Sequence, residues 1–245
     1  MAVSRRTTLG GVFASPLLIG PAHAETWEEK WKRELLQDFA MLGRYRDANR
    51  TLLEQRQPVD IVFMGDSITE GWKDKRPAFF APGRVNRGIS GQTTAQMVLR
   101  MMADVVDLKP RAVHVMAGTN DIAGNTGPTT QEMIRNNIRA MTALAQQHGV
   151  KVILASIPPA ASFPWRPGME TLTPIRQLNH WIETFARQKG ATWVDYQPAL
   201  ATPGGAMRSG FAHDGVHPTE AGYDAMAGVI EPVLARLVGR TKART

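Results

Sequence analysis

The sequence predicts an α/β fold, a parallel sheet with helices on both faces in one domain. Three observations carry the prediction. Five short apolar runs alternate with stretches of helical periodicity, the pattern of repeated strand–helix–strand units. Clusters of Gly, Ser, Asn, Asp and His follow several runs, where open α/β sheets place their ligand sites. The 245 residues, 43% hydrophobic and 21% charged, suffice for one large core, and no internal repeat or interdomain linker interrupts them.

Residues 26–54 read as a helix, with Trp27, Trp31, Leu35, Phe39 and Leu42 at helical spacing. That stripe reads as a face buried on the domain, with a ligand platform as the alternative. Residues 59–64 (V-D-I-V-F-M) form the first strand, rich in β-branched side chains and ended by Gly65. A helix or loop starts at Ser67, and Pro77 and Pro82 mark a connection. Residues 84–89 read as the second strand. Thr93 or Thr94 can cap a helix over 95–104. Residues 111–117 read as the third strand. Residues 129–148 read as a helix with Met133, Ile134, Ile138, Met141, Leu144 and Ala145 on one face, stopped by Gly149. The fourth strand is 150–156, followed by a loop at 160–169 containing Phe163, Trp165 and Arg166. A helix over 172–189, a fifth strand over 191–195 and a closing helix over 219–237, with Pro218 just ahead, complete the chain.

The start of the chain reads as an export signal. Arg5-Arg6 precede an apolar run over 9–19 and then Ala22-His23-Ala24, in the order of a charged region, a short apolar core and a cleavage site. The expected division is a signal peptide at 1–24 and a single domain at 25–245, periplasmic or secreted. The twin-arginine route and Sec export both stay open, because Thr8 stands where a bulky apolar residue is usual. Net charge is +7 without a block of like charges, so no nucleic-acid partner is indicated. No stretch is long enough for stable membrane insertion. With no cysteine, disulfides and thiolate chemistry are excluded.

Four polar clusters fall after apolar runs and can meet on one sheet edge: Gly65-Asp66-Ser67, Ser90-Gly91, Gly118-Thr119-Asn120-Asp121, and Asp214-Gly215-Val216-His217-Pro218. Ser67 is a candidate nucleophile that needs a base. His217 can take its proton near neutral pH, and Asp214 can hold the imidazole tautomer. The N–H groups of Ser67 and Gly91, with the Asn120 amide, can bind an oxyanion. Taken singly, each cluster reads equally as a turn or helix cap. Asp121 reads as orienting Asn120 or its turn. His114 reads as a core histidine with its polar atoms bonded. His213 and His217 are four apart, but Gly215 and Pro218 make this a loop rather than a helical metal pair.

Together, in this order and across nearly the whole mature chain, the four clusters resemble the SGNH hydrolases, also called the GDSL family of esterases and lipases, and in their flanking residues the acetylhydrolase and carbohydrate-esterase branches. The G-x-S-x-G elbow of α/β-hydrolases is absent. The resemblance implies a three-layer α/β/α flavodoxin-like fold with a five-stranded parallel sheet in the order 2-1-3-4-5. It implies Ser67, Asp214 and His217 as the catalytic triad, and Ser67, Gly91 and Asn120 as the oxyanion hole. Asp66, Trp165 and Arg166 are further candidates for substrate contact, with Trp165 equally a packed lid residue. The expected activity is hydrolysis of short acyl esters, acetyl foremost, on a small molecule or a glycan, with no metal and no cofactor. A glycan O-acetyltransferase and a non-catalytic glycan-binding protein are the alternatives.

Overall fold

The computed structural model describes residues 26–237; the signal peptide read at 1–24 lies outside them. Strand β1 (Ile61–Gly65) is central and wholly buried, as a parallel strand covered by helices on both faces must be. It pairs in parallel with β2 (Arg84–Gly88) on one side and β3 (Ala112–Met116) on the other. β4 (Lys151–Ala155) and β5 (Thr192–Val194) extend the sheet, giving the order 2-1-3-4-5 with every pairing parallel. This is the five-stranded α/β architecture expected from the sequence.

Right-handed crossovers decide the layers. The chain steps one way from β1 to β2 and the other way thereafter, so α3 (Ser67–Lys75) covers one face while α4 (Thr94–Asp104), α6 (Gln131–Gln147) and α7 (Leu172–Gln188) cover the opposite one. After the one-turn helix α8 (Gln197–Leu200), the closing helix α9 (Glu220–Leu237) packs with α3. There Trp72 stacks on Tyr223 (centroids 5.6 Å apart) and on Phe79 (4.5 Å), and the Tyr223 hydroxyl donates to the Ile68 carbonyl at 2.8 Å. Arg76, the residue that ends α3, binds Glu220 and Asp224 at the start of α9. These contacts fix the start of α9, and with it the loop just before, along the length of α3.

On the other face a buried polar network reaches the sheet edge. Arg100 donates to the Gly65 carbonyl (3.0 Å) and to Gln92 Oε1 (2.6 Å), and pairs with Asp104 (3.0 Å). Asn49 links that Asp104 to Arg87 on β2. Along α6, Ile134, Ile138, Met141 and Ala145 are buried as the periodicity predicts, but Met133 stands 51% exposed, one position off the stripe that meets the core.

The single helix expected over 26–54 is two. α1 (Trp27–Gln37) begins with a capping box between Thr26 and Glu29, and α2 (Arg46–Glu54) follows a break. Asp38 ends α1 and its carboxylate takes the Gly43 N–H at 2.8 Å, while Met41 adopts a positive φ of 54°. The stripe is therefore divided. Trp31 is buried and Leu35 half-buried, but Phe39 and Leu42 lie past the helix end and are exposed.

Candidate active site

β1 ends at Gly65, and Asp66 caps α3 by accepting the Ile68 N–H at 3.0 Å. Ser67 is thus the first residue of α3, where a main-chain N–H has no partner within the helix. Its position is the C-terminal edge of the sheet at the point where the strand order reverses, the crevice in which open α/β sheets bind ligands. The turn is tight enough to require glycine: a Cβ on Gly65 would lie 2.0 Å from Thr69 Oγ1 and 2.9 Å from the Met116 carbonyl oxygen.

Ser67 Oγ lies 3.0 Å from His217 Nε2, and His217 Nδ1 lies 2.7 Å from Asp214 Oδ2. The second Asp214 oxygen accepts the main-chain N–H groups of Val216 (3.0 Å) and His217 (2.8 Å), and the His213 N–H donates to the His217 carbonyl at 3.0 Å. One carboxylate therefore both shapes the loop and orients the ring. With Nδ1 facing that carboxylate, Nδ1 carries the proton and Nε2 presents its lone pair to the serine hydroxyl. Burial pushes the Asp214 carboxyl upward, but the His217 and Val216 donors outweigh it and hold it below the ordinary carboxylate range.

Gly91 follows β2 and Asn120 follows β3, so they flank Ser67 from opposite sides. Gly91 has a φ of 78°, and a Cβ there would meet the Trp31 ring at 3.0 Å. Asn120 lies on the short helix α5 (Thr119–Ile122), and its Nδ2 donates to the Gln92 carbonyl at 3.1 Å. Next to it, Asp121 accepts the Thr94 N–H at 2.9 Å and the Thr94 hydroxyl. It ties α5 to the start of α4. Burial pushes its carboxyl up to about 6 against the pull of those donors.

A cleft of about 630 Å³ opens over these groups. Ser67, Ser90, Gly91, Asn120 and His217 line it. Trp31, Lys32, Leu35 and Glu28 of α1 contribute one part of its lining, and Trp165, Arg166 and Asn125 another. Trp165 stacks on Phe163 with centroids 5.2 Å apart, and its ring centre is 5.8 Å from that of His217. The Arg166 Nε–H donates to the Ala123 carbonyl at 2.8 Å, so its side chain is pinned where it borders the cleft.

Three expectations need correction. Asp66 does not line the cleft: it is 2% exposed, its carboxylate serves as the cap of α3, and burial pushes its pKa up to about 6. The aromatic stripe of α1 is not simply a face buried on the domain, since Trp31 and Leu35 border the cleft. His114 is a core residue, with burial pulling its pKa down to about 3, but only Nε2 is bonded, to the Tyr196 hydroxyl at 3.1 Å; among the described residues Nδ1 has no partner. Asn125, to which the sequence assigns no role of its own, also borders the cleft. Its signal was faint, a second asparagine five residues after Asn120 in a glycine-rich turn.

The profile of the GDSL-like lipase/acylhydrolase family matches residues 63–225. The chain belongs to that family. Membership makes it a carboxylic ester hydrolase, and its triad-like cluster lies within the family's matched segment. A GDSL-like lipase of Bacteroides thetaiotaomicron is 41% identical, with a TM-score of 0.77 over 81% of this chain and 99% of that one. Esterase TesA of Pseudomonas aeruginosa is 27% identical over 204 residues, 76% of this chain and 93% of that protein. An uncharacterized lipoprotein of Bacillus subtilis is 37% identical over 78 residues, 31% of this chain and 32% of that protein. The fold also matches Axe2, an acetyl-xylooligosaccharide esterase of Geobacillus, at 21% identity and a TM-score of 0.60, over 77% of this chain and 98% of that one. The family match starts at residue 63, so α1, which contributes to the lining of the cleft, precedes it.

Proposed function

We propose that this GDSL-family hydrolase is a serine esterase that removes short acyl groups, acetyl foremost, from alcohols that include carbohydrates. The observation that carries the reading is the hydrogen-bonded chain from Ser67 Oγ through His217 to Asp214, opening onto the cleft. Ser67 Oγ attacks the ester carbonyl while His217 Nε2 takes its proton, and Asp214 stabilises the imidazolium. The oxyanion is met by the N–H groups of Ser67 and Gly91 and by Asn120 Nδ2, three donors that need no rearrangement. His217 returns the proton to the departing alcohol. It then activates the water that frees the acid and regenerates Ser67.

Two features support a small acyl group and a sugar. The Trp31 ring lies against Gly91, so bulk is already present beside that donor. Trp165 offers an indole beside His217, where a pyranose of the leaving alcohol can stack, and Axe2, which shares the fold, acts on acetylated xylooligosaccharides by its name. The sequence of residues 1–24 supports export, so the mature domain is 25–245 and acts in the periplasm or outside the cell.

The test is a substrate panel. The purified enzyme is offered p-nitrophenyl acetate, butyrate and octanoate, then acetylated xylooligosaccharide with and without an unacetylated glycan acceptor. The reading predicts kcat/KM falling with acyl length and free acetate from the oligosaccharide. Preference for octanoate contradicts the acyl assignment. Acetate appearing on the acceptor instead of in solution replaces hydrolysis with transfer.

A further inference from the structure

A primary amide can present either end to a cleft, and only one end of Asn120 can stabilise an oxyanion. The hydrogen bonds around it decide which. Asn120 Nδ2 is 3.1 Å from the Gln92 main-chain oxygen, a group that only accepts. Asn120 Oδ1 therefore occupies the other position, 2.9 Å from Asn125 Nδ2, which donates to it. Asn125 Oδ1 in turn is 3.2 Å from Trp165 Nε1, a group that only donates. A carbonyl at one end and an indole at the other fix both amides in one sense. The Asn125 amide also reaches the Gly91 carbonyl at 3.3 Å, so it touches both residues that flank Ser67.

We propose that Asn125 is a positioning residue that fixes the Asn120 amide with its N–H toward the cleft, and that Trp165, on the loop after β4, sets Asn125 in turn. The inference rests on the reading of Asn120 as an oxyanion donor. Asn120 has two N–H bonds. One is spent on Gln92, and the other is left for the substrate. If the amide turned over, its oxygen would face the Gln92 carbonyl and the developing oxyanion together, and both contacts would be repulsive. Asn125 opposes that turn from the far side, because its own N–H would then face another N–H. The Trp165 indole thus has a consequence at the oxyanion site even where its ring makes no contact with the acyl group, and the seating of its loop is coupled to the chemical step.

The test measures p-nitrophenyl acetate kinetics for Asn120→Ala, Asn125→Ala, Asn125→Asp, Trp165→Phe and the double variant Asn120→Ala/Asn125→Ala, with folding checked by circular dichroism. Asn120→Ala is expected to lose about 100-fold in kcat. Asn125→Ala should lose roughly 10- to 100-fold in kcat with KM within about threefold, a loss in the step where charge develops. The double variant should fall within about threefold of Asn120→Ala, because Asn125 acts through Asn120. Asn125→Asp keeps the shape but, ionised, cannot donate, so it should be as impaired as the alanine variant; a packing role would leave it near the wild type. Trp165→Phe keeps the ring and loses the N–H, and should lower kcat several-fold. Full kcat in Asn125→Asp, or losses that multiply in the double variant, would overturn the inference while leaving the esterase reading intact. If Asn120→Ala itself retains full kcat, the oxyanion reading fails first. Should Asn125→Ala not fold, the aspartate and phenylalanine variants carry the same test.

Discussion

Ser67 Oγ and His217 Nε2 lie 3.0 Å apart although 150 residues separate them. The contact exists because β1 delivers the serine to the sheet edge while α9, locked to α3 through Tyr223 and Trp72, holds the histidine loop above it. Asp214 completes the arrangement by binding Nδ1 and two main-chain N–H groups of the same loop. Asp214→Asn should therefore fold, since an amide oxygen can still accept those N–H groups, yet turn the wrong ring tautomer toward Ser67. The expected loss in kcat is on the order of 10³- to 10⁴-fold. Steady-state kinetics check it; a loss below about tenfold would remove Asp214 from the role.

Gly91 is placed where a side chain is excluded twice, by its positive φ and by the Trp31 ring 3.0 Å from any Cβ. Gly91→Ala should lower kcat by about 100-fold through displacement of the proposed oxyanion donor. Adding Trp31→Ala removes the ring contact but not the backbone strain, which costs about 1 kcal/mol. The double variant should recover part of the loss, and kcat for Gly91→Ala, Trp31→Ala and the double variant decides. No recovery would mean that the ring does not restrain this loop.

Two buried carboxyls give a stability prediction. Burial pushes the Asp66 and Asp121 carboxyls up to about 6 in the folded protein, above the ordinary value near 4. Between those values the folded state binds more protons than the unfolded one, so their contribution to stability is greatest below about pH 4 and is lost as pH rises through about 6. Urea midpoints at pH 5 and pH 7.5 read this directly. Asp121→Asn removes one titrating group, so it should narrow the gap between the two midpoints, and the unfolding free energies derived from them should differ by about 1 kcal/mol less than in the wild type. An unchanged difference would contradict the raised value for Asp121.

How much was legible in the sequence follows from what each feature depends on. β1 was plain because five consecutive buried positions demand apolar, β-branched residues, and strand ends carry their polar clusters with them. Ser67, Gly91 and Asn120 could be grouped because a parallel sheet brings successive strand ends to one edge, whereas Asp214 and His217 follow no strand end: they sit on the loop before α9, and the packing of α9 on α3 brings them there. The break between α1 and α2 was hidden: it depends on Asp38 reaching Gly43 and on Met41 taking a positive φ, while helical spacing runs on through Phe39 and Leu42. Trp31 was visible as part of a stripe, but its place against Gly91 is set by tertiary packing. Asp66 shows the reverse case. A carboxylate beside a candidate nucleophile invites a chemical role, yet it is turned inward as a helix cap. Asn125 matters only through partners at 91, 120 and 165, a relationship that no local pattern encodes.

Turnover of p-nitrophenyl acetate by wild type and Ser67→Ala, with circular dichroism to show that both are folded, decides whether Ser67 is the nucleophile. Wild type should hydrolyse the ester, and the variant should lose at least about 10³-fold in kcat/KM. A folded Ser67→Ala protein that turns over the acetate ester at the wild-type rate would show that another group attacks the carbonyl.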